Sequence, residues 1–161
     1  MKRHVHDNHL REWFNLGLTG GLLLFCLCSS AAEYQWSVPV AWVISDETKE
    51  PPRAFLWIPP TCGRVRAVVV GQHNMLEEPL FENPAFRAAL AELGIAEVWI
   101  SPSLCGQAQF GEKEQGQFEE MFRLLAAESG YVELVQAPVV AVGHSAMADF
   151  PYLYAAHNPE R

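Results

Sequence analysis

The 161-residue sequence predicts an α/β fold: a mainly parallel sheet, helices on both of its faces, and an antiparallel hairpin at the N-terminal edge. Three observations carry this expectation. From residue 65 onward, short apolar runs alternate with amphipathic helical stretches, a pattern that implies right-handed crossovers and parallel strands. Ahead of them, two apolar runs are separated by a polar, proline-ended turn, which reads as an antiparallel pair. The last apolar run ends at Gly143-His144-Ser145 and continues into helical spacing, a strand–turn–helix signature. With 50% hydrophobic and 19% charged residues, the composition is that of one globular domain without repeats or low-complexity tracts.

Residues 1–32 read as a secretory signal peptide. Lys2, Arg3 and Arg11 give a positive front, 16–27 form a short apolar segment, and Ser29-Ser30-Ala31-Ala32 offers small residues for cleavage. The apolar segment is short and glycine-interrupted compared with the ~20 residues of a membrane span, so a retained anchor is the second reading. Phe25 and Leu27, bulky residues before Cys26 and Cys28, argue against lipoprotein processing. The domain is thus expected over 33–161, secreted or periplasmic, and in contact with a membrane only transiently through its leader.

Within that domain, 35–44 reads as a first strand and 53–58 as its antiparallel partner, with Pro39 tolerable because an edge strand can spare a ladder donor. A strand over 65–70 leads through a glycine-led loop, Gly71-Gln-His-Asn-Met75, to a helix over 83–93, with Pro84 in its first turn and Gly94 at its end. A strand over 95–100 follows. A helix over 115–128 presents Phe118, Met121, Phe122 and Leu125 on one face and is closed by Gly130. A strand over 138–142 and a helix with Phe150, Leu153, Tyr154 and His157 on one side complete the series. Glu77, Glu78 and Glu82 read as a solvated acidic loop. Cys62 and Cys105, lying at opposite strand ends, are expected to be unpaired, about one strand length apart against a ~7 Å limit on Cα separation.

A parallel sheet of this kind binds ligands beyond the carboxyl ends of its strands. Gly71-Gln72-His73, Ser101-Pro-Ser-Leu104 and Ser145 all fall there. Ser145 is the candidate nucleophile, because a sharp turn between strand and helix lifts a hydroxyl clear of the sheet. The plain alternative makes it the N-cap of the following helix. An elbow of this type brings Gly143 and the residue two after the serine together and favours small side chains at both. Gly143 fits and Met147 does not, while Ala146 and Ala148 keep the rest of the turn small.

At these residues the chain resembles the α/β-hydrolase superfamily. More loosely, it is similar to the secreted esterase branch of feruloyl-esterase-like and polyhydroxyalkanoate-depolymerase-like proteins. The resemblance also rests on order, since the loop after strand 65–70 stands where such enzymes place their oxyanion loop and the serine comes later. It implies Ser145 as nucleophile, with the backbone N–H of Ala146 and one from Gln72 or His73 as oxyanion donors. His73 is in addition a candidate substrate contact, weighed evenly against a loop histidine with no role.

The superfamily supplies its acid and histidine after the nucleophile, and sixteen residues follow Ser145 here. His157 lies about three helical turns down the predicted helix at ~1.5 Å per residue and points away from the elbow. Asp149 reads as a solvated helix residue, and His144 as a packing residue inside the elbow. The expectation is therefore a secreted serine ester hydrolase truncated after its elbow and inactive alone, its substrate a small-molecule or carbohydrate ester. The alternative is a non-catalytic remnant or ligand-binding module on the same scaffold. The excess of 19 acidic over 11 basic residues offers no footprint for nucleic acid. His4, His6 and His9 have a loose metal-like spacing but lie in the leader, and no phosphate loop or metal pattern stands out, so no cofactor and no metal are expected.

Overall fold

The computed structural model of the chain describes residues 34–40, 49, 51–104 and 110–161. The expected leader over 1–32 with its three histidines, residues 41–44 of the first strand, and Cys105 lie outside the described residues.

Five strands form one sheet: β1 (Trp36–Pro39), β2 (Arg53–Trp57), β3 (Ala67–Gln72), β4 (Ile95–Ser101) and β5 (Val139–Val142). Their order across the sheet is β1-β2-β4-β3-β5. The hairpin is antiparallel, with Val38 opposite Ala54, and β2 joins β4 antiparallel, with Leu56 opposite Val98. From β4 onward the sheet is parallel: Val70 pairs with Val98 on one side and Ala141 on the other. The sheet is therefore mixed, and its parallel part is β4-β3-β5. Pro39 sits on the edge strand, where its missing N–H breaks no ladder.

Alternation along the strands divides the core. Leu56, Val68, Val70, Ala96, Val98 and Ile100 point to one face. There they meet α3 (Glu112–Ser129), whose Phe118, Met121, Phe122 and Leu125 are all fully buried, and α4 (Asp149–His157) through Phe150 and Tyr154. Trp57, Val69 and Trp99 point to the other face, against Phe81 of α1 (Glu77–Phe81) and Leu90 of α2 (Pro84–Leu93). Helices thus cover both faces, as alternating strands and crossovers require.

The sequence placed α2 well because its ends are chemically marked. Asn83 Oδ1 accepts the N–H groups of Ala85 (2.9 Å) and Phe86 (3.2 Å), Pro84 opens the first turn, and Gly94 closes the helix at φ 68°. Asn83→Ala is expected to cost about 1 kcal/mol. Urea unfolding should show a lower midpoint with an unchanged slope; an unchanged midpoint would mean the cap contributes nothing.

Other boundaries moved. α3 begins at Glu112, three residues before its expected start, because Glu114 folds back to accept the Gly111 N–H (3.0 Å) and extends a polar turn ahead of the apolar stripe. β3 runs over 67–72 rather than 65–70, so Gly71 and Gln72 belong to the strand and not to the loop. Gly71 is where the Phe81 ring closes on the sheet: a Cβ there would lie 2.8 Å from two ring atoms. α1 was not expected at all, and neither was the short 3-10 turn Val132–Val135 that brings Leu134 into the core. No helix among the described residues is long and apolar enough to cross a membrane.

Candidate active site

At Val142, β5 ends its pairing with β3, and the backbone turns within three residues. His144 is still extended (φ −129°, ψ 149°), Ser145 takes φ 52°, and a 3-10 turn over Ser145–Met147 leads into α4. A non-glycine residue in the left-handed region costs roughly 1–2 kcal/mol, so the surrounding structure must impose it.

Gly143 shows how tightly the elbow is wound. A Cβ at this position would lie 2.0 Å from the carbonyl oxygen of Met147, 2.8 Å from its carbonyl carbon, and 3.2 Å from the Pro151 ring. The expected crowding between Gly143 and the residue two after the serine is therefore present, but it falls on the Met147 backbone. The Met147 side chain turns inward and is buried, which is why a large residue is accepted where a glycine is usual.

Ser145 is exposed, and its hydroxyl makes no hydrogen bond within the described residues. Nor does it cap the turn: the N-cap position belongs to His144, without a side-chain bond. The Ala146 N–H, next in chain, donates no hydrogen bond within the described residues. On β3, the Val68 N–H donates to Pro138 on the β5 side, and the His73 N–H donates to Ile100 (2.7 Å) on the β4 side. By the alternation of the ladder, the Gln72 amide faces β5 and the elbow. The pairing of Gly71 with Val142 in that phase puts the Gln72 N–H on the Val142 carbonyl, so the sheet takes up both amides, His73 on the β4 side and Gln72 on the β5 side, and of the expected oxyanion donors only the Ala146 N–H stays open within the described residues. Gln72 itself is fully buried, its side-chain oxygen accepting the Leu104 N–H (2.8 Å).

The His73 ring is half-buried, edge-on to Trp99 at 6.1 Å, with a buried Nδ1 lacking a hydrogen-bond partner within the described residues. His144, expected as a packing residue, is exposed; its backbone is what the structure holds. The Glu77 carboxylate accepts the His144 N–H (2.6 Å), and Asn74 Nδ2 donates to the His144 carbonyl. Glu77 is 2% exposed, which corrects the reading of 77–82 as a solvated acidic loop. The first turn of α1 sets Glu77 and Phe81 on its inner side, four residues apart, and leaves Glu78 and Glu82 in solvent.

His157 lies at the far end of α4, its Nδ1 2.9 Å from the Leu153 carbonyl and its ring on Phe110. Two open hollows of about 560 and 580 Å³ lie elsewhere, one beside Arg123 and Arg161, the other beside Arg64 and Glu133. Neither includes Ser145.

The chain matches no protein-family model, no curated protein and no solved structure. What the site can do is therefore argued from its own geometry: it presents a strained, accessible hydroxyl at the carboxyl end of the sheet, with the Ala146 amide next to it.

A second polar cluster, under α2, went unnoticed in the sequence. Arg87 Nε donates to Glu97 Oε2 (2.8 Å) with both side chains buried, and the guanidinium lies over the rings of Tyr34 (4.8 Å) and Trp57 (5.0 Å). Burial raises the Glu97 carboxyl to about 7, against the pull of Arg87, and pushes the Tyr34 phenol well above its ordinary value. The signal was available: a lone acid inside the apolar run 95–100, and an arginine on the same helical stripe as Leu90.

Proposed function

We propose that Ser145 is the nucleophile of an acyl-transfer site on a partial α/β-hydrolase scaffold, and that the protein is an exported ester hydrolase acting on small-molecule or carbohydrate esters. The observation that carries the reading is Ser145 at φ 52° with its side chain exposed, next to a Gly143 that has no room for a Cβ. A helix cap has no need of this strain, whereas a nucleophile that must clear the sheet does. Ser145 Oγ attacks the ester carbonyl carbon while its proton passes to a base. The carbonyl oxygen takes up negative charge beside the Ala146 amide, the alcohol leaves, and water releases the acid. Among the described residues no histidine or carboxylate is hydrogen-bonded to Ser145 Oγ. That observation favours the second reading, a scaffold that binds at the same strand ends without turnover.

The two readings separate on covalent chemistry. Treating the longest natural form of the protein with a fluorophosphonate should leave an adduct on the peptide containing Ser145, and none in Ser145→Ala. An unmodified Ser145 in a folded protein would eliminate the hydrolase.

A further inference from the structure

We infer that Glu77, assisted by Asn74, is the positioning residue of the Ser145 elbow: its buried carboxylate holds the His144 peptide and so fixes the backbone on which Ser145 turns. The function assigned to this clamp rests on the reading of Ser145 as a nucleophile.

The need for a clamp follows from the ladder. Pairing between β3 and β5 stops at Gly71 opposite Val142, so the polar groups of Gly143 and His144 have left the sheet and must find other partners. The His144 carbonyl accepts the Met147 N–H (2.9 Å) within the turn, and two side chains between β3 and the start of α1 hold the peptide from outside it. Asn74 Nδ2 donates to the same carbonyl, and Glu77 Oε1 accepts the His144 N–H at 2.6 Å. Glu77 Oε2 accepts the Leu76 N–H (3.2 Å), so the carboxylate spans the elbow and its own loop.

A carboxylate suits this place for two reasons. Bonds to an ionised acceptor are roughly twice as strong as neutral ones. Glu77 must also satisfy two N–H donors, one on each oxygen, and a glutamine would turn an NH₂ toward one of them. At 2% exposure such a mismatch finds no water to relieve it. The held residue immediately precedes the one at φ 52°, so the clamp acts where the chain would otherwise relax.

The test is amide hydrogen exchange by NMR on Glu77→Gln, read with the Ser145 carbon shifts, which report φ, and with the rate of fluorophosphonate labelling. Exchange at His144 and Ser145 should rise at least ~10-fold while Val69 and Val98 in the sheet stay unchanged. The left-handed carbon signature of Ser145 should fade, and labelling should slow by about 10²-fold, the usual cost of misplacing a reacting group by an ångström. Unchanged exchange at His144 overturns the inference. So does a rise spread evenly over the sheet, which would make Glu77 a residue of the fold alone. If Glu77→Gln does not fold, Asn74→Ala removes only the side-chain bond to the His144 carbonyl and leaves that from the Met147 N–H, and the same local loosening is required of it. A wild-type protein that takes no label overturns the nucleophile and leaves exchange and carbon shifts to decide the clamp.

Discussion

Arg87→Met is expected to lower the unfolding free energy by about 3–5 kcal/mol near neutral and mildly alkaline pH, and by clearly less in mild acid. The charged form of Glu97 is fully buried and bonded to Arg87 at 2.8 Å, so removing the guanidinium leaves a carboxylate without its counter-charge. The pH dependence has a definite sign. The folded-state carboxyl is raised to about 7 from an ordinary value of 4.5, chiefly by burial. Between those values the folded protein binds the proton more tightly than the unfolded chain. The contribution to stability is full below 4.5 and is lost as pH rises through about 7. Without Arg87 the charged form is disfavoured further, and the loss with rising pH steepens. In mild acid the carboxyl is neutral in both proteins, and the substitution removes mainly the packing of the guanidinium over Tyr34 and Trp57. Urea unfolding across this pH range tests the account, and a penalty independent of pH would contradict it. Arg87→Met combined with Glu97→Leu should recover most of the stability, since a buried ion pair replaced by apolar groups of similar volume is often neutral or better.

The same cluster shows how far the sequence could be read. Strands and helices were legible where period and end chemistry agreed, as in α2 between Asn83 and Gly94, and in α3 up to Gly130. Boundaries slipped where a polar turn extended a helix or an apolar strand ran on through Gly71. α1 was hidden because five residues containing Glu-Glu-Pro carry no helical period, and one of those acids faces inward. The turn at Ser145 was legible because its context is local: an apolar strand, a glycine and small residues in one stretch. The groups that hold it were not. Asn74 and Glu77 lie 70 and 67 residues from His144, and the bonds they make are to its backbone, which has no residue identity to read. That the sheet takes up both the Gln72 and the His73 amide likewise depends on where the two ladders of β3 end, which the sequence does not mark.

Gly143→Ala should separate the elbow from the rest of the fold more sharply than any core substitution. The new methyl would meet two backbone atoms of Met147 and the ring of Pro151, none of which can rotate away. At 2.0 Å from the Met147 oxygen, relief requires the turn to open by on the order of 1 Å. Overpacking of this kind costs about 1–3 kcal/mol, and the opening carries Ser145 with it, so fluorophosphonate labelling should fall by about 10²-fold. Two other glycines serve as comparisons. At Gly71 the obstacle is the Phe81 ring, a side chain able to shift, so alanine there should perturb the α1 side of the core and spare Ser145 reactivity more. At Gly116, inside α3 with nothing within 4 Å, alanine should raise stability by about 0.5–1 kcal/mol through helix propensity alone. If Gly143→Ala instead labels at the wild-type rate, the elbow tolerates opening and the strain at Ser145 is not what presents its hydroxyl. The nucleophile would then have to draw its reactivity from a base alone, and the clamp at His144 would lose its purpose.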